Sequence, residues 1–199
     1  MKIKLFILVI IITLISACSN IVPQVKENSQ VETKRYDKTE NQITRTGSPE
    51  EEISDNNLVK ATVTRHVDGD TVYVKIAGKS YKMRMIGINC PEYTKEIEPY
   101  GKESSEYTKS QLLGKTVYLE TDVSNTDKYD RLLRYIWLEI PTETSEHEIR
   151  TKMFNAQLVL NGYAHAGNYP PDVKYTDYLK KFQQEAKNKK VGIWGLEKK

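Results

Sequence analysis

From Leu5 to Ala17 the chain is apolar at every position but Thr13 and Ser16, and the next forty residues are predominantly polar. Alternating patterns begin at Leu58. Val59, Ala61 and Val63 fall on one face of an extended segment from Leu58 to Val67, Asp68-Gly69 reads as a turn, and Val72, Val74 and Ile76 alternate again. A reversal at Ala77-Gly78-Lys79 leads into a third strand, in which Tyr81, Met83 and Met85 run on through Ile86 and Ile88 until Pro91 ends the ladder. Helical signals span Pro99 to Leu113: a proline where a first turn tolerates it, Tyr107 and Gln111-Leu112 on one side, and Gly114 as the stop. Thr116 to Thr121 and Leu132 to Glu139 read as strands four and five. Ile149, Met153, Ala156 and Leu160 recur at helical spacing as far as Asn161-Gly162, and Tyr175, Tyr178, Leu179, Phe182 and Ala186 do so again.

Three strands, a helix, two strands and two helices predict an α+β domain over residues 58–199: a five-stranded closed barrel of the oligonucleotide/oligosaccharide-binding (OB) type with three α-helices. Such a fold by itself points to binding rather than chemistry.

The N-terminal run is preceded by Lys2 and Lys4 and closed by small residues, the pattern of a signal peptide over residues 1–17, too short to span a bilayer comfortably. Ile15-Ser16-Ala17-Cys18 resembles the lipobox of bacterial lipoproteins, which implies lipidation of Cys18 and attachment to the outer face of a membrane. An ordinary secretory signal ending near a cysteine gives the same small-residue pattern; either way the protein is expected to be exported. Residues 18–57 read as a lipid-anchored disordered linker: from Ser19 to Asn57 there is no Trp or Phe, and five basic residues face eight acidic ones. Random-coil scaling gives such a tether a reach of roughly 30–40 Å.

Net charge is +3 for the whole chain and +4 for residues 58–199, which excludes a strongly basic nucleic-acid coat. Cys18 and Cys90 make no disulfide framework, and His66, His147 and His165 have neither triad-like nor zinc spacing, so thiol and zinc chemistry are not expected. Nothing in the sequence demands an oligomer or an obligate protein partner.

Polar residues gather at one end of the second hairpin. If residues pair so that their numbers sum to about 156, Asp70 and Arg84 share a face as diagonal neighbours, about 7–8 Å apart. Asn89, the Cys90 carbonyl and Glu92 follow just past the third strand, and hard oxygen donors beside a guanidinium suit a divalent cation plus a phosphate. Arg131 enters strand five from a polar loop whose turn chemistry does not require it. Two arginines and a metal can together neutralise a phosphate as charge builds on its oxygens.

Val67-Asp68-Gly69-Asp70-Thr71-Val72, Arg84-Met85-Ile86-Gly87-Ile88-Asn89-Cys90-Pro91-Glu92, Asp127-Lys128-Tyr129-Asp130-Arg131, Asn161-Gly162-Tyr163-Ala164 and Gly192-Ile193-Trp194 resemble, in order and spacing, the staphylococcal nuclease (thermonuclease) family. The resemblance implies a Ca²⁺-dependent phosphodiesterase that cuts DNA and RNA to leave 3′-phosphates. It also implies site residues. Asp70, Asn89 and the backbone carbonyl of Cys90 match metal ligands, Glu92 matches the residue that orients or deprotonates the attacking water, and Arg84 and Arg131 match the phosphate-binding pair. Lys128 and Tyr129 match residues beside the nucleotide, and Tyr169 is a candidate base-stacking platform.

The sequence departs from the family pattern at Asn89, where an Asp is expected, which lowers the ligand charge and with it the expected Ca²⁺ affinity. Only Tyr169 stands for a pair of stacking tyrosines, and the loop from Tyr93 to Tyr100 is short. Two other classes stay open at this point: a non-catalytic nucleic-acid-binding barrel, and an adhesive or structural lipoprotein. Retention of Asp70, Arg84, Glu92 and Arg131 together is what a pure binder has no need for.

Overall fold

The structure is a computed structural model and describes residues 58–196. The apolar segment 1–17, Cys18 and the remainder of 18–57 lie outside the described residues. Strands β1 (Val59–Asp68), β2 (Thr71–Ile76) and β3 (Lys79–Met85) form a meander, followed by the short β4 (Ile88–Asn89), helix α1 (Gly101–Leu112), β5 (Thr116–Glu120) and β6 (Leu132–Trp137). Helices α2 (Glu146–Lys152) and α3 (Phe154–Leu160), the short β7 (His165–Ala166), helix α4 (Thr176–Lys189) and a 3-10 turn at Gly192–Trp194 complete the order.

Five strands close into a barrel in the order β1-β2-β3-β6-β5. Closure depends on β1. Its first residues pair with β5, from Val59↔Leu119 to Thr62↔Thr116, and its later ones with β2, with register shifts at Val63/Arg65 and His66/Asp68 that bend the strand from one partner to the other. β3 and β6 run parallel, and the other barrel pairs are antiparallel. The inward residues of the alternation, among them Val63, Val72, Val74, Met83, Met85, Val117 and Leu119, are buried. Each such aliphatic side chain contributes about 1.5–3 kcal/mol by leaving water. The α+β, OB-type barrel expected from the pattern is the one observed.

Three details differ from expectation. The hairpin closes on the two residues Ala77-Gly78, both at positive φ (46° and 85°), so Thr71 faces Arg84 and Val72 faces Met83, one residue out from the anticipated register. A two-residue turn with both φ positive matches the twist of the flanking strands better than a three-residue reversal.

The third strand stops at Met85 rather than running to Pro91. Gly87 turns the chain at φ 76°, a Cβ there would lie 2.7 Å from Leu179 Cδ1, and Ile88–Asn89 instead pairs with His165–Ala166. The run Met85-Ile86-Ile88 is buried throughout, so its apolar character hid the reversal.

Third, the described residues hold four α-helices instead of three, because the helix expected from Ile149 to Leu160 breaks at Met153, which is extended at φ −86°, ψ 119°. Met153 bridges to Trp137 and Leu138 N–H donates to the Lys152 carbonyl at 2.8 Å, so pairing with the barrel edge replaces helix continuation there.

Candidate active site

The β1–β2 turn carries Asp68 and Asp70, both buried. Gly69 permits the close fit. A Cβ on it would lie 2.6 Å from both Cys90 Cβ and Ser104 Oγ, and its carbonyl accepts from Thr108 Oγ1 at 2.5 Å, which ties the turn to α1. Asp70 Oδ2 accepts the Cys90 N–H at 2.9 Å, and its Oδ1 accepts from Thr71 Oγ1 at 3.0 Å and forms an ion pair with Arg84 Nη1. Asp70 and Arg84, expected to share a face, are therefore in direct side-chain contact. The same guanidinium donates through Nη2 to Asn89 Oδ1 at 2.8 Å. Arg84 thus spans the side chains of Asp70 and Asn89.

Glu92 is fixed by the chain that follows it. Its Oε1 accepts the N–H groups of Tyr93 (3.1 Å) and Thr94 (2.7 Å) and the Thr94 hydroxyl. These bonds, with a further one shared with Asp68, hold the Glu92 carboxyl down to about 2. Asp68 moves the other way. Burial, reinforced by the negative charge of Glu92, pushes it up to about 6, although the Gly69 N–H bonded to its Oδ1 at 2.8 Å favours the ionised form. The Asp68 and Glu92 carboxyls thus share a hydrogen bond and shift in opposite directions. The Cys90 thiol is buried and pushed up to about 12 by desolvation, which favours its protonated form.

Across from Arg84, Arg131 is clamped by Asp127. Nε and Nη2 reach Asp127 Oδ2 at 2.7 and 2.6 Å, while Oδ1 accepts the N–H groups of Tyr129 (2.9 Å) and Arg131 (3.0 Å). Both arginines line one cleft of about 430 Å³ together with Asp127, Tyr169 and Asp172. Burial, and next among the lowering influences the charge of Arg131, bring the Arg84 guanidinium below its usual value, yet a guanidinium stays protonated. Two cations held against mutual repulsion beside an open cleft are arranged for an anion. Asp172, buried in the wall, accepts the N–H groups of Val123 (3.0 Å) and Ser124 (2.7 Å) and so joins the Tyr169 loop to the loop that carries Asp127.

The family model described as staphylococcal nuclease homologue matches residues 82–195, a span that takes in both arginines, Asn89 and Glu92. The chain belongs to the staphylococcal nuclease family. Relatives in that family include the thermonuclease of Staphylococcus hyicus, 37% identical over 71% of this chain and 79% of its own length. The thermonuclease of Staphylococcus intermedius is 38% identical over 66% of this chain and 74% of its own. Endonuclease YncB of Bacillus subtilis is 30% identical over 88% of this chain and 78% of its own.

For a staphylococcal nuclease homologue the site is well gathered but unevenly so. Asp70, Arg84, Asn89 and Cys90 meet at one point, Glu92 joins them through Asp68, and Arg131 and Tyr169 lie in the cleft. Lys128 and Tyr129 do not line it. They sit on the rim with Tyr129 67% exposed, its ring 5.0 Å from Lys128 Nζ and 5.5 Å from Arg131 Cζ.

Among the described residues no three His, Cys, Asp or Glu side chains gather as a metal cluster. The donors present, Asp70, Asn89 Oδ1 and the Cys90 carbonyl with Asp68 beside them, are nonetheless all hard oxygens, the chemistry a Ca²⁺-like ion takes. Sequence reasoning treated Asp68 as a turn residue and gave Asp127 and Asp172 no part. The first was legible in principle as a second carboxylate two residues before Asp70, and Asp127 as an acid four residues before Arg131; Asp172 carried no signal.

Proposed function

We propose that this protein is an exported, Ca²⁺-dependent nuclease that hydrolyses phosphodiester bonds of DNA and RNA and leaves 3′-phosphates. Membership of the family and the thermonucleases and endonuclease among its relatives make it a phosphodiesterase endonuclease. The observation that carries the reading is the pair of arginines facing one cleft, Arg84 held by Asp70 and Arg131 by Asp127.

In this reading Arg84 and Arg131 bind the scissile phosphate and neutralise charge on its equatorial oxygens as the attacking and leaving oxygens align. Arg131, on the side of the rim loop, assists the leaving oxygen. Glu92, ionised at all ordinary pH, is a weak base and serves to orient the attacking water. Tyr169 offers a face to a base. Lys128 and Tyr129, on the rim, contact the nucleotide beyond the scissile phosphate. Asp70, Asn89 and the Cys90 carbonyl would hold the cation, which when bound polarises a phosphoryl oxygen and adds positive charge to the site. Because Asn89 is uncharged, cation binding is weaker than a second carboxylate would give. Residues 1–17 act as an export signal, Cys18 carries the lipid, and 18–57 tether the domain 58–199 outside the membrane.

The test is cleavage of single-stranded DNA and of RNA by the purified full chain over a calcium titration, with a chelator arm. Calcium-dependent cuts ending in 3′-phosphates, lost in Arg131→Ala and reached at lower calcium in Asn89→Asp, are the expected result. DNA that is bound but uncut at every calcium level would leave a binding barrel in place of the enzyme.

A further inference from the structure

The outer face of the β2–β3 hairpin continues the site. On β3 the side chains of Ser80, Lys82 and Arg84 alternate outward against inward Met83 and Met85, and their partners on β2 are Lys75, Tyr73 and Thr71. Arg84, already in the cleft, is thus the first of a row. Lys82 follows two residues, about 7 Å, along the same face, and the Lys75 pair lies a similar step further. β1 adds Arg65, which pairs with Tyr73 and sets its guanidinium 3.7 Å from the centre of that ring.

The row is unopposed. The only carboxylate in β1, β2 and β3 is Asp68, buried in the site. Arg65, Lys75 and Lys82 are exposed, and every ion pair among the described residues involves other side chains. Arg65, Lys75 and Lys82 thus form a basic stripe, with no carboxylate of its own strands facing it, on the hairpin that ends at the phosphate-binding arginine. An aromatic ring stands among them.

We propose that this sheet face, through Arg65, Tyr73, Lys75 and Lys82, is a second nucleic-acid contact surface that follows the phosphodiester backbone of a single strand as it leaves the cleft past Arg84. The proposal rests on the nuclease reading for the position of the strand. Regular cation spacing along an extended hairpin matches successive phosphates, and Tyr73, stiffened by Arg65, gives one base a stacking surface whatever its identity. The consequence is a preference for long over short substrates without base specificity. The cations contribute through counterion release, so their effect shows in the salt dependence of binding.

The experiment uses the full chain in chelator, where binding is read without cleavage, with fluorescence anisotropy of a 15-nucleotide single strand and of a trinucleotide over a salt series. In Arg65→Gln/Lys75→Gln/Lys82→Gln the slope of log K against log salt for the 15-mer is expected to become shallower by about 2, at ~0.7 per lost phosphate contact. The affinity advantage of the 15-mer over the trinucleotide falls by about tenfold. Lys75→Gln and Lys82→Gln singly, at exposed positions that do not threaten folding, each lower the slope by ~0.7. An unchanged slope and length ratio overturn the proposal and make the face an ordinary solvated surface. Loss of binding to phosphatidylglycerol vesicles with the 15-mer slope intact overturns it in favour of a membrane-facing patch. Because neither measurement needs turnover, failure of the nuclease reading appears separately, as absence of cleavage when calcium is restored.

Discussion

Asn155 is the residue on which the floor of the cleft depends, and removing it is the most quantitative test of the structure. It is fully buried on α3, where Oδ1 accepts the Ile136 N–H from β6 at 2.9 Å and Nδ2 donates to the Ile86 carbonyl at 2.9 Å. Ile86 lies in the turn between Arg84 and Asn89 and lines the cleft. Asn155→Ala leaves one buried N–H and one buried carbonyl without this partner, each costing about 1–3 kcal/mol. The sum, about 2–6 kcal/mol, is a large part of the ~5–15 kcal/mol by which a domain is stable. With about 3–5 °C of Tm per kcal/mol at this size, the melting temperature falls by roughly 6–30 °C. Urea unfolding of the full chain, followed by tryptophan fluorescence, should show a lower midpoint at unchanged slope. Asn155→Asp keeps an acceptor for Ile136 but loses the donor to Ile86 and introduces a charge, so it should be no more stable than the alanine variant. A loss below about 1 kcal/mol in Asn155→Ala would refute the reasoning, because the two backbone groups would then have found other partners.

Further predictions concern the site and the surface charges. Asp127→Asn removes the charge that clamps Arg131; charged hydrogen bonds of this kind contribute about 1.5–3 kcal/mol, so kcat should fall by roughly 10-fold to 100-fold with less change in KM. An unaltered kcat would show that Arg131 needs no clamp. Tyr169→Leu should raise KM for single-stranded DNA, since stacking on one base is worth about 1–3 kcal/mol; a KM within twofold of wild type would deny Tyr169 a place against the substrate. Glu185 accepts two bonds from Arg150, at 2.9 and 2.8 Å, which hold its carboxyl below the usual glutamate range. A carboxylate depressed in the folded state stabilises above its unfolded pKa and loses that contribution as pH falls through the lower folded value. The Tm gap between wild type and Glu185→Gln should therefore be present at pH 7 and close towards pH 3, as calorimetry at the two pH values would show.

Much of the fold was legible because its signals are local. Alternation at Val59, Ala61, Val63 and at Val72, Val74, Ile76 fixes which side of each strand enters the barrel, since a slip of one residue would expose the whole set. The same alternation puts Arg84 and Lys82 on the outside between Met83 and Met85. The order and spacing of the motifs around Asp70, Arg84, Glu92 and Arg131 were sufficient to name a family and an arginine pair. They were insufficient to say what each residue touches.

What only the tertiary structure decided are the outcomes of competition between distant segments. Met153 has an apolar side chain at helical spacing, and local periodicity carries the helix straight through it; the unpaired edge at Trp137 and Leu138 offers hydrogen bonds that the helix forgoes. Ile86-Gly87-Ile88 reads as continuing strand because burial makes every residue apolar, whichever way the chain turns. The Asp68–Glu92 pair, the clasp of Asp172 on Val123 and Ser124, and the Asn155 bridge each join residues 19 or more positions apart. No periodicity records such contacts. Short-range patterning determined which faces are apolar and which residue types the site contains, whereas pairings that close over long loops depend on where the folded backbone leaves a donor or a carboxylate in want of a partner.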